Sequence, residues 1–399
     1  MPRQETDRNH NIRRRFWFAV AFLTCFAGCR RSTSPDRELS PADMSTTPVA
    51  RAPIGGEWTR AAAPREWSFP RDHGAHTDHW MEWWYYTGNV KSETGRQFGF
   101  QLTFFRTGVD RKPTATSAWA VRDIYVAHFA ISDVEDQKIS SFEKSNRAGI
   151  GWAGADEDPD DSTVRIWNAG WETSIQDSGN LHHLKATADN ASIDLTLTAA
   201  KPLVQHHGDG LSQKGPSPGN ASHYYSYPSL DTSGIVRIDG KEHAVQGSSW
   251  MDHEFSSSFL EKGQVGWDWM AIQLDDDTQV MLYQIRLEDG SPSPFSSGTV
   301  VYSDGRQEIL TVDDIKMHPK KHWVSKGTKA KYPISWTVQV SKADLDLTVE
   351  AAFEDQEMDT SSSTGIVYWE GCVNISGTRN SANVAGKGYL EMTGYVHPR

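Results

Sequence analysis

Two stretches of the sequence place acidic side chains among tryptophan and tyrosine residues. The first is residues 79–88 (HWMEWWYYTG), and the second joins residues 247–255 (GSSWMDHEF) to residues 266–270 (GWDWM). Burial beside aromatic rings disfavours the ionised form of a carboxyl group, so its pKa rises and it becomes able to donate a proton. We therefore predict that both stretches line one apolar cavity whose acids carry out proton transfer.

The candidate proton-transfer residues are the acids of these stretches and one adjacent histidine: Glu82, Asp252, His253, Glu254 and Asp268. The candidate ligand-binding residues are all aromatic: Trp83, Trp84, Tyr85, Tyr224, Trp250, Trp267, Trp269 and Tyr283. Each acid has a structural alternative, which is an ion pair or a buried hydrogen-bond network. Alternation along a strand would place Trp267 and Trp269 on one face and Asp268 on the other, where Asp268 would pair with an arginine.

Other site chemistries have less support in the sequence. His73, His76 and His79 would align as metal ligands only on a helix, and Gly74 argues against a helix here. No HExxH-type motif accompanies them, so we predict neither a metal nor another cofactor. Serine-hydrolase chemistry is not expected either. Cys372 lies in a strand-like run, which favours a buried small side chain over a nucleophile.

The overall charge excludes one class of partner. The chain has 399 residues and a formal net charge of −12. Phosphate backbones are bound by concentrated cationic surfaces. We therefore expect no nucleic-acid partner.

The N-terminus has the pattern of a bacterial lipoprotein signal. A basic segment, Arg13-Arg14-Arg15, precedes an apolar run at residues 16–27 that is too short to cross a bilayer as a helix. Because Ala27-Gly28-Cys29 resembles a lipobox, we predict removal of residues 1–28, lipidation of Cys29 and membrane anchoring in the envelope, on the periplasmic side. Ordinary signal cleavage and secretion is the alternative. Residues 30–56 are predicted to be a disordered tether.

From residue 57 onward the sequence predicts β-strands separated by turns. Residues 191–198 alternate apolar and polar side chains, which is typical of a half-buried strand. We interpret the turn signal Asp239-Gly240 as the boundary between two domains, residues 57–239 and 240–399.

Three further segments have other predicted structures. Short helices are predicted at Ser140–Ser145 and Val312–Ile315. Residues 206–228 carry glycine and proline at intervals, as functional loops often do. We predict that this segment forms a rim over the mouth of the cavity.

Taken together, the motifs resemble the carotenoid 1,2-hydratase / AttH-like family of bacterial envelope proteins. The matching pieces run in order over nearly all of the predicted mature chain: residues 69–76, 82–88, 214–216, 221–226, 250–254, 266–269, 368–371 and 388–395. This resemblance implies an all-β fold of two packed lipocalin-like antiparallel β-barrel domains. Tyr283 is followed by Gln284, whereas the hydratase branch has an acid there, so the AttH-like branch is the closer match.

The resemblance also implies a function. Members of the family add water across a terminal double bond of a long polyene, and this reaction needs a proton donor and aromatic faces that stabilise a cation. We therefore expect a membrane-anchored protein that binds a lipophilic, isoprenoid-like small molecule and hydrates or isomerises it by acid catalysis. The alternatives are a non-catalytic lipid-binding or chaperoning protein that serves an envelope ABC transporter, and a structural partner with a vestigial cavity.

Overall fold

The computed structural model describes residues 58–112, 120–149, 151–157, 163–258 and 260–396. The predicted signal, Cys29 and the tether at 30–56 lie outside these residues. Among the described residues, no helix is long and apolar enough to cross a membrane.

The first sheet has thirteen antiparallel strands in the order β4-β3-β2-β1-β13-β12-β9-β8-β7-β6-β5, and β10 and β11 pair with β12. Its strands are β1 Met81–Ser92, β2 Gln97–Gly108, β3 Asp123–Asp133, β4 Lys138–Arg147, β5 Ala153–Ala155, β6 Val164–Asn168, β7 Trp171–Gln176, β8 Leu181–Thr187, β9 Ala191–Ala199, β10 Val204–Gln205, β11 Leu211–Gln213, β12 Ala221–Ile238 and β13 Lys241–Ser256.

The second sheet has ten antiparallel strands in the order β17-β16-β15-β14-β23-β22-β20-β19-β18, and β21 pairs with β22. Its strands are β14 Gln264–Leu274, β15 Gln279–Leu287, β16 Ser297–Val301, β17 Gln307–Thr311, β18 Ile315–Val324, β19 Lys331–Val340, β20 Leu345–Ala351, β21 Glu357–Thr360, β22 Ile366–Arg379 and β23 Ala382–Met392. Single turns of 3-10 helix occur at Arg71–His73, Asp177–Gly179, His206–Gly208, Val312–Asp314 and Ser341–Ala343.

Period-two patterns explain most of these strands. In β9, the apolar residues Ile193, Leu195 and Leu197 are buried, while the polar residues between them are exposed or half-buried. The helix predicted at Ser140–Ser145 is wrong, because this segment pairs with β3 as part of β4. The other predicted short helix corresponds to Val312–Asp314, where Thr311 and Asp314 form a capping box.

The two sheets divide between Ser256 and Gln264, later than the boundary suggested by the sequence. Asp239 and Gly240 instead form the tight turn that joins β12 to β13 within the first sheet. Asp239 has a φ of +47° and Gly240 a φ of +78°, as the mirror-image turns of β-hairpins require. The turn signal was therefore informative, but it marks a hairpin.

Each sheet encloses its own apolar core, and a third aromatic core lies between them. Strand β1 serves two of these cores because its side chains alternate. Trp84 and Tyr86 pack in the core of the first sheet, while Tyr85 packs with residues of the second sheet. The sheets approach closely beside Cys372, since a Cβ atom on Gly99 would lie 2.9 Å from its Sγ atom. Cys372 is thus a buried packing residue, as predicted.

Candidate functional site

A cavity of about 520 Å³ lies between the two sheets. Its walls come from β1, β2, β3, β12 and β13 on one side and from β14, β15, β22 and β23 on the other. The lining is mostly apolar, and its aromatic members are Trp80, Trp83, Tyr85, Phe105, Tyr224, Trp267, Trp269, Tyr283 and Tyr368. This volume and this composition are typical of sites for small organic ligands.

The two aromatic stretches of the sequence meet at this cavity. Strands β1 and β13 are antiparallel neighbours, in a register that sets Trp83 opposite Glu254 and Tyr85 opposite Asp252. Trp267 and Trp269 of β14 face them from the second sheet. The predicted convergence of the stretches is confirmed, and a void lies between them.

Asp252 is buried at the cavity wall and accepts a hydrogen bond on each carboxylate oxygen. Tyr224 donates to Oδ2 at 2.7 Å, and Trp250 Nε1 donates to Oδ1 at 2.6 Å. Ser226 also donates to Oδ1. Burial raises the pKa of Asp252 to about 7, although these donated bonds oppose the shift. The group can therefore exist in both protonation states near neutral pH.

Glu254 forms an ion pair inside the cavity. Its Oε1 atom lies 3.2 Å from Lys214 Nζ and accepts a hydrogen bond from Ser222. Burial is the largest single influence and would lower the pKa of Lys214, but the charge and hydrogen bond of Glu254, together with Tyr283 and Asp252, outweigh burial and raise it, so the lysine stays cationic. Lys214 belongs to the segment 206–228, which supplies Lys214, Asn220, Ser222 and Tyr224 to the cavity wall. The side chain of Lys214 is 21% exposed.

Two further acids, Glu370 and Glu391, face each other across β22 and β23. Tyr85 donates to Oε1 of Glu370 at 2.5 Å, and Trp267 Nε1 donates to Oε2 of Glu391 at 3.2 Å. Burial and the charge of Glu391 raise the pKa of Glu370 well above its usual range. Burial raises the pKa of Glu391 to about 7, with a smaller contribution from the charges of Asp252 and Glu254. Glu370 is therefore protonated at neutral pH, and Glu391 titrates there.

Glu82 contributes to the cavity wall, but its carboxylate belongs to a buried ionic network. Arg106 Nε lies 3.0 Å from its Oε2 atom, and Oε1 lies 2.7 Å from His76 Nδ1 and 2.9 Å from His253 Nε2. Burial would raise the pKa of Glu82, but these partners outweigh burial and hold it well below its usual value. Glu82 is thus a fixed anion.

The same network contains a set of possible metal ligands. The ligand atoms of His76, Glu82 and His253 all lie within 4.8 Å of one another. Both histidines already form hydrogen bonds with Glu82, and the guanidinium of Arg106 adds a positive charge that would repel a cation. The arrangement suits an ion-pair network better than a metal site.

Four of the predicted site residues do not line the cavity: Trp84, Trp250, His253 and Asp268. Trp84 stacks on His253 in the first sheet, with ring centroids 4.8 Å apart. Asp268 points away from the cavity and forms a 2.5 Å ion pair with Arg286 of β15, as the structural alternative required. Strand alternation, which sends neighbouring side chains to opposite faces, explains Trp84, His253 and Asp268. Trp250 is on the same face of β13 as Asp252, but it packs in the aromatic core between the sheets and contacts Trp269.

Sequence reasoning left Lys214, Glu370 and Glu391 out of the candidate list, although all three lie in motifs that carry the family resemblance. The only local signal was an acid beside aromatic residues, in Tyr368-Trp369-Glu370 and Tyr389-Leu390-Glu391. Their pairing depends on the register of β22 and β23, which no local pattern reveals.

A serine motif lies in the loop before β12. Residues 215–219 read GPSPG, so the spacing Gly-x-Ser-x-Gly does occur in the sequence. In hydrolases of the α/β class this motif forms a strand-to-helix turn. Here it lies in the connection between β11 and β12, in an all-β fold. It is therefore not a nucleophile elbow.

Comparison with known proteins places the chain in a family. A family model described as AttH-like matches residues 60–395. The chain belongs to the AttH-like family. The crystal structure of a candidate AttH from Nitrosomonas europaea is similar, with a TM-score of 0.75, 34% identity, and coverage of 85% of this chain and 100% of that one.

Two proteins whose names denote addition or removal of water are similar to this AttH-like chain at lower identity. Kievitone hydratase from Nectria haematococca shares the fold, with a TM-score of 0.63, 15% identity, and coverage of 86% of this chain and 97% of that one. Dehydratase asqC of Emericella nidulans is 23% identical over 233 residues, which are 56% of this chain and 64% of asqC. The match thus spans less than two thirds of that curated relative.

Proposed function

We propose that this AttH-like protein is a hydro-lyase, which adds water to, or removes it from, a lipophilic and isoprenoid-like molecule held between the two sheets. The observation that carries the proposal is the set of acids at one mostly apolar cavity: Asp252, Glu254, Glu370 and Glu391. An apolar lining binds the body of such a ligand through burial of apolar surface. The acids supply the proton transfers that addition of water requires.

The environments of these acids give them different roles. Glu391 and Asp252 have pKa values of about 7, so either can hold a proton and release it near neutral pH. We assign the acid role to Glu391, because Asp252 is restrained by donors on both of its oxygens. Glu254 is paired with a cation and is suited to be the base.

The proton transfers then balance in both directions. In hydration, a carbon of the double bond takes the proton of Glu391, the water oxygen bonds to the other carbon, and Glu254 takes a proton from that water. In dehydration, Glu254 supplies the proton that the leaving hydroxyl needs, and Glu391 removes the proton from carbon. Microscopic reversibility therefore exchanges the acid and base roles of the two residues.

The test is turnover in water labelled with heavy oxygen. Purified protein is incubated with lipophilic alkenes, including isoprenoid chains and conjugated ketones, and products are analysed by mass spectrometry. We expect a labelled alcohol, and a rate at least about 100-fold lower for Glu391→Gln, since general acid catalysis contributes about 10²–10⁴-fold. Glu350→Gln, at an exposed position on β20, is the matched control.

Two outcomes would contradict the proposal. Unchanged turnover by Glu391→Gln would remove the role of that acid. No turnover of any alkene, together with a lipid found by native mass spectrometry, would favour the non-catalytic lipid-binding protein.

A further inference from the structure

Lys214 brings an ammonium group to the end of the cavity that holds Glu254 and Tyr224. Its Nζ atom lies 3.2 Å from Glu254 Oε1, 4.0 Å from the ring centroid of Tyr283 and 5.2 Å from that of Tyr224. The lysine is thus held by one carboxylate and two aromatic rings at the cavity wall.

This ammonium has donors to spare. A lysine Nζ carries three N–H groups, and within the described part of the chain Glu254 is the one acceptor that it contacts at hydrogen-bond distance. Aromatic faces attract a cation but do not replace an oxygen acceptor. Since the side chain is only 21% exposed, water satisfies the remaining donors less well than in solution. A ligand oxygen would complete the site.

The charge of Lys214 also selects among the ways of adding water to a double bond. A carbocation that forms near an ammonium group is repelled, whereas negative charge that forms on oxygen is attracted. An isolated alkene reacts through positive charge on carbon. A double bond conjugated to a carbonyl group reacts through an enolate, whose negative charge is on oxygen.

We propose that Lys214 binds the carbonyl oxygen of the substrate, and that the substrates are lipophilic enones together with the β-hydroxy ketones formed from them by addition of water. This inference rests on the proposed hydro-lyase function and specifies its substrate class.

The order of bond changes follows from this placement. Glu254 takes a proton from water as the water oxygen bonds to the β-carbon, and the π electrons move to the carbonyl oxygen at Lys214. The enolate then takes the proton of Glu391 on its α-carbon, which restores the carbonyl group. One water is consumed, Glu254 gains a proton and Glu391 loses one, and exchange with solvent resets both. Dehydration runs through the same steps in reverse.

Binding of two probes of similar shape tests the inference without requiring turnover. Chalcone carries an enone, and 1,3-diphenylpropene has the same carbon skeleton without the oxygen. We expect Lys214→Met to weaken chalcone binding about tenfold to a hundredfold, as for a hydrogen bond to a charged group, and to leave binding of the hydrocarbon unchanged. Lys214→Arg should retain most of the affinity, and Lys241→Met, at an exposed position on β13, is the matched control.

A spectroscopic readout makes the test specific for the carbonyl group. An ammonium donor stabilises the polar excited state of the enone, so the absorption band of bound chalcone should shift to longer wavelength in the wild type and lose this shift in Lys214→Met. Lys214→Met alone leaves the buried carboxylate of Glu254 without its cation, which could impair folding. The double variant Lys214→Met/Glu254→Gln removes both charges and controls for this effect. It should also bind chalcone weakly.

The outcomes separate this inference from the hydro-lyase proposal. Equal weakening of both probes, or unchanged chalcone binding, would overturn the role of Lys214. Binding of chalcone that depends on Lys214, with no labelled alcohol formed from any alkene, would support the carbonyl site and refute hydro-lyase activity. Labelled alcohol formed equally well by Lys214→Met would support the activity and refute the carbonyl site.

Discussion

Replacing Asp252 by asparagine should change how the stability of the protein depends on pH. In the folded protein burial raises the pKa of Asp252 to about 7, whereas the ordinary value is 3.8. The folded state therefore binds more protons than the unfolded state between these values, and this group's contribution to stability falls as pH rises. Below about pH 4 the contribution is fully present, and it is lost as pH passes through about 7.

The magnitude follows from the size of the shift. The difference between about 7 and 3.8 is about 3 pH units, and each unit corresponds to 1.36 kcal/mol, so the loss is about 4 kcal/mol over the whole window. Between pH 5 and pH 8 about 3 kcal/mol of it is lost. The asparagine side chain does not titrate, so Asp252→Asn should destabilise the protein at pH 5 and become neutral or stabilising at pH 8.

Urea unfolding at pH 5, 6, 7 and 8 measures this difference. The free energy of unfolding of Asp252→Asn, relative to the wild type, should rise by about 3 kcal/mol from pH 5 to pH 8. Asp231→Asn, at an exposed position on the same β12–β13 ladder, is the matched control. If the difference in free energy of unfolding between Asp252→Asn and the wild type did not change from pH 5 to pH 8, the reasoning would be refuted. The hydrogen bonds from Tyr224, Ser226 and Trp250 would then offset the effect of burial on the pKa of Asp252.

Three other predictions concern different parts of the chain. Cys29→Ser should move the protein from the membrane fraction to the soluble fraction, and retention in the membrane would contradict lipidation. A thiol reductant should leave the melting temperature unchanged, because Cys372 is a buried free thiol whose pKa burial raises to about 12; a clear fall would indicate a disulfide. Glu82→Gln should lower the free energy of unfolding by about 3–5 kcal/mol, because buried Arg106 loses one of its two carboxylate partners and keeps only Asp123. A loss under about 1 kcal/mol in urea unfolding would show that the network is not stabilising.

The sequence predicted those features that depend on neighbouring residues along a strand. Alternation placed Asp268 away from Trp267 and Trp269, and the structure shows its ion pair with Arg286. Aromatic burial predicted that residues 79–88 and 247–255 converge, and β1 and β13 are adjacent.

Features that depend on strand register could not be predicted in this way. Glu370 and Glu391 become a pair only because β22 and β23 align them, and Lys214 reaches Glu254 only because its loop folds beside β12 and β13. Similarly, Asp239-Gly240 has the same local signature whether a turn joins two strands of one sheet or two domains. The two cases differ only in the sheet that the next strand joins. That pairing depends on residues far away in the sequence.

The alternation of β1 has a consequence for how such a site could diversify. Because Trp84 and Tyr86 belong to one core while Trp83 and Tyr85 face the other sheet, a one-residue insertion in β1 would exchange the two sets. The closely packed rings of Trp84 and Tyr86 would then face the ligand, and the cavity residues would enter the core. Changes of ligand are therefore easier to accumulate in β14, β15 and β22, where single substitutions reshape the opposite wall while β1 and β13 keep their pairing.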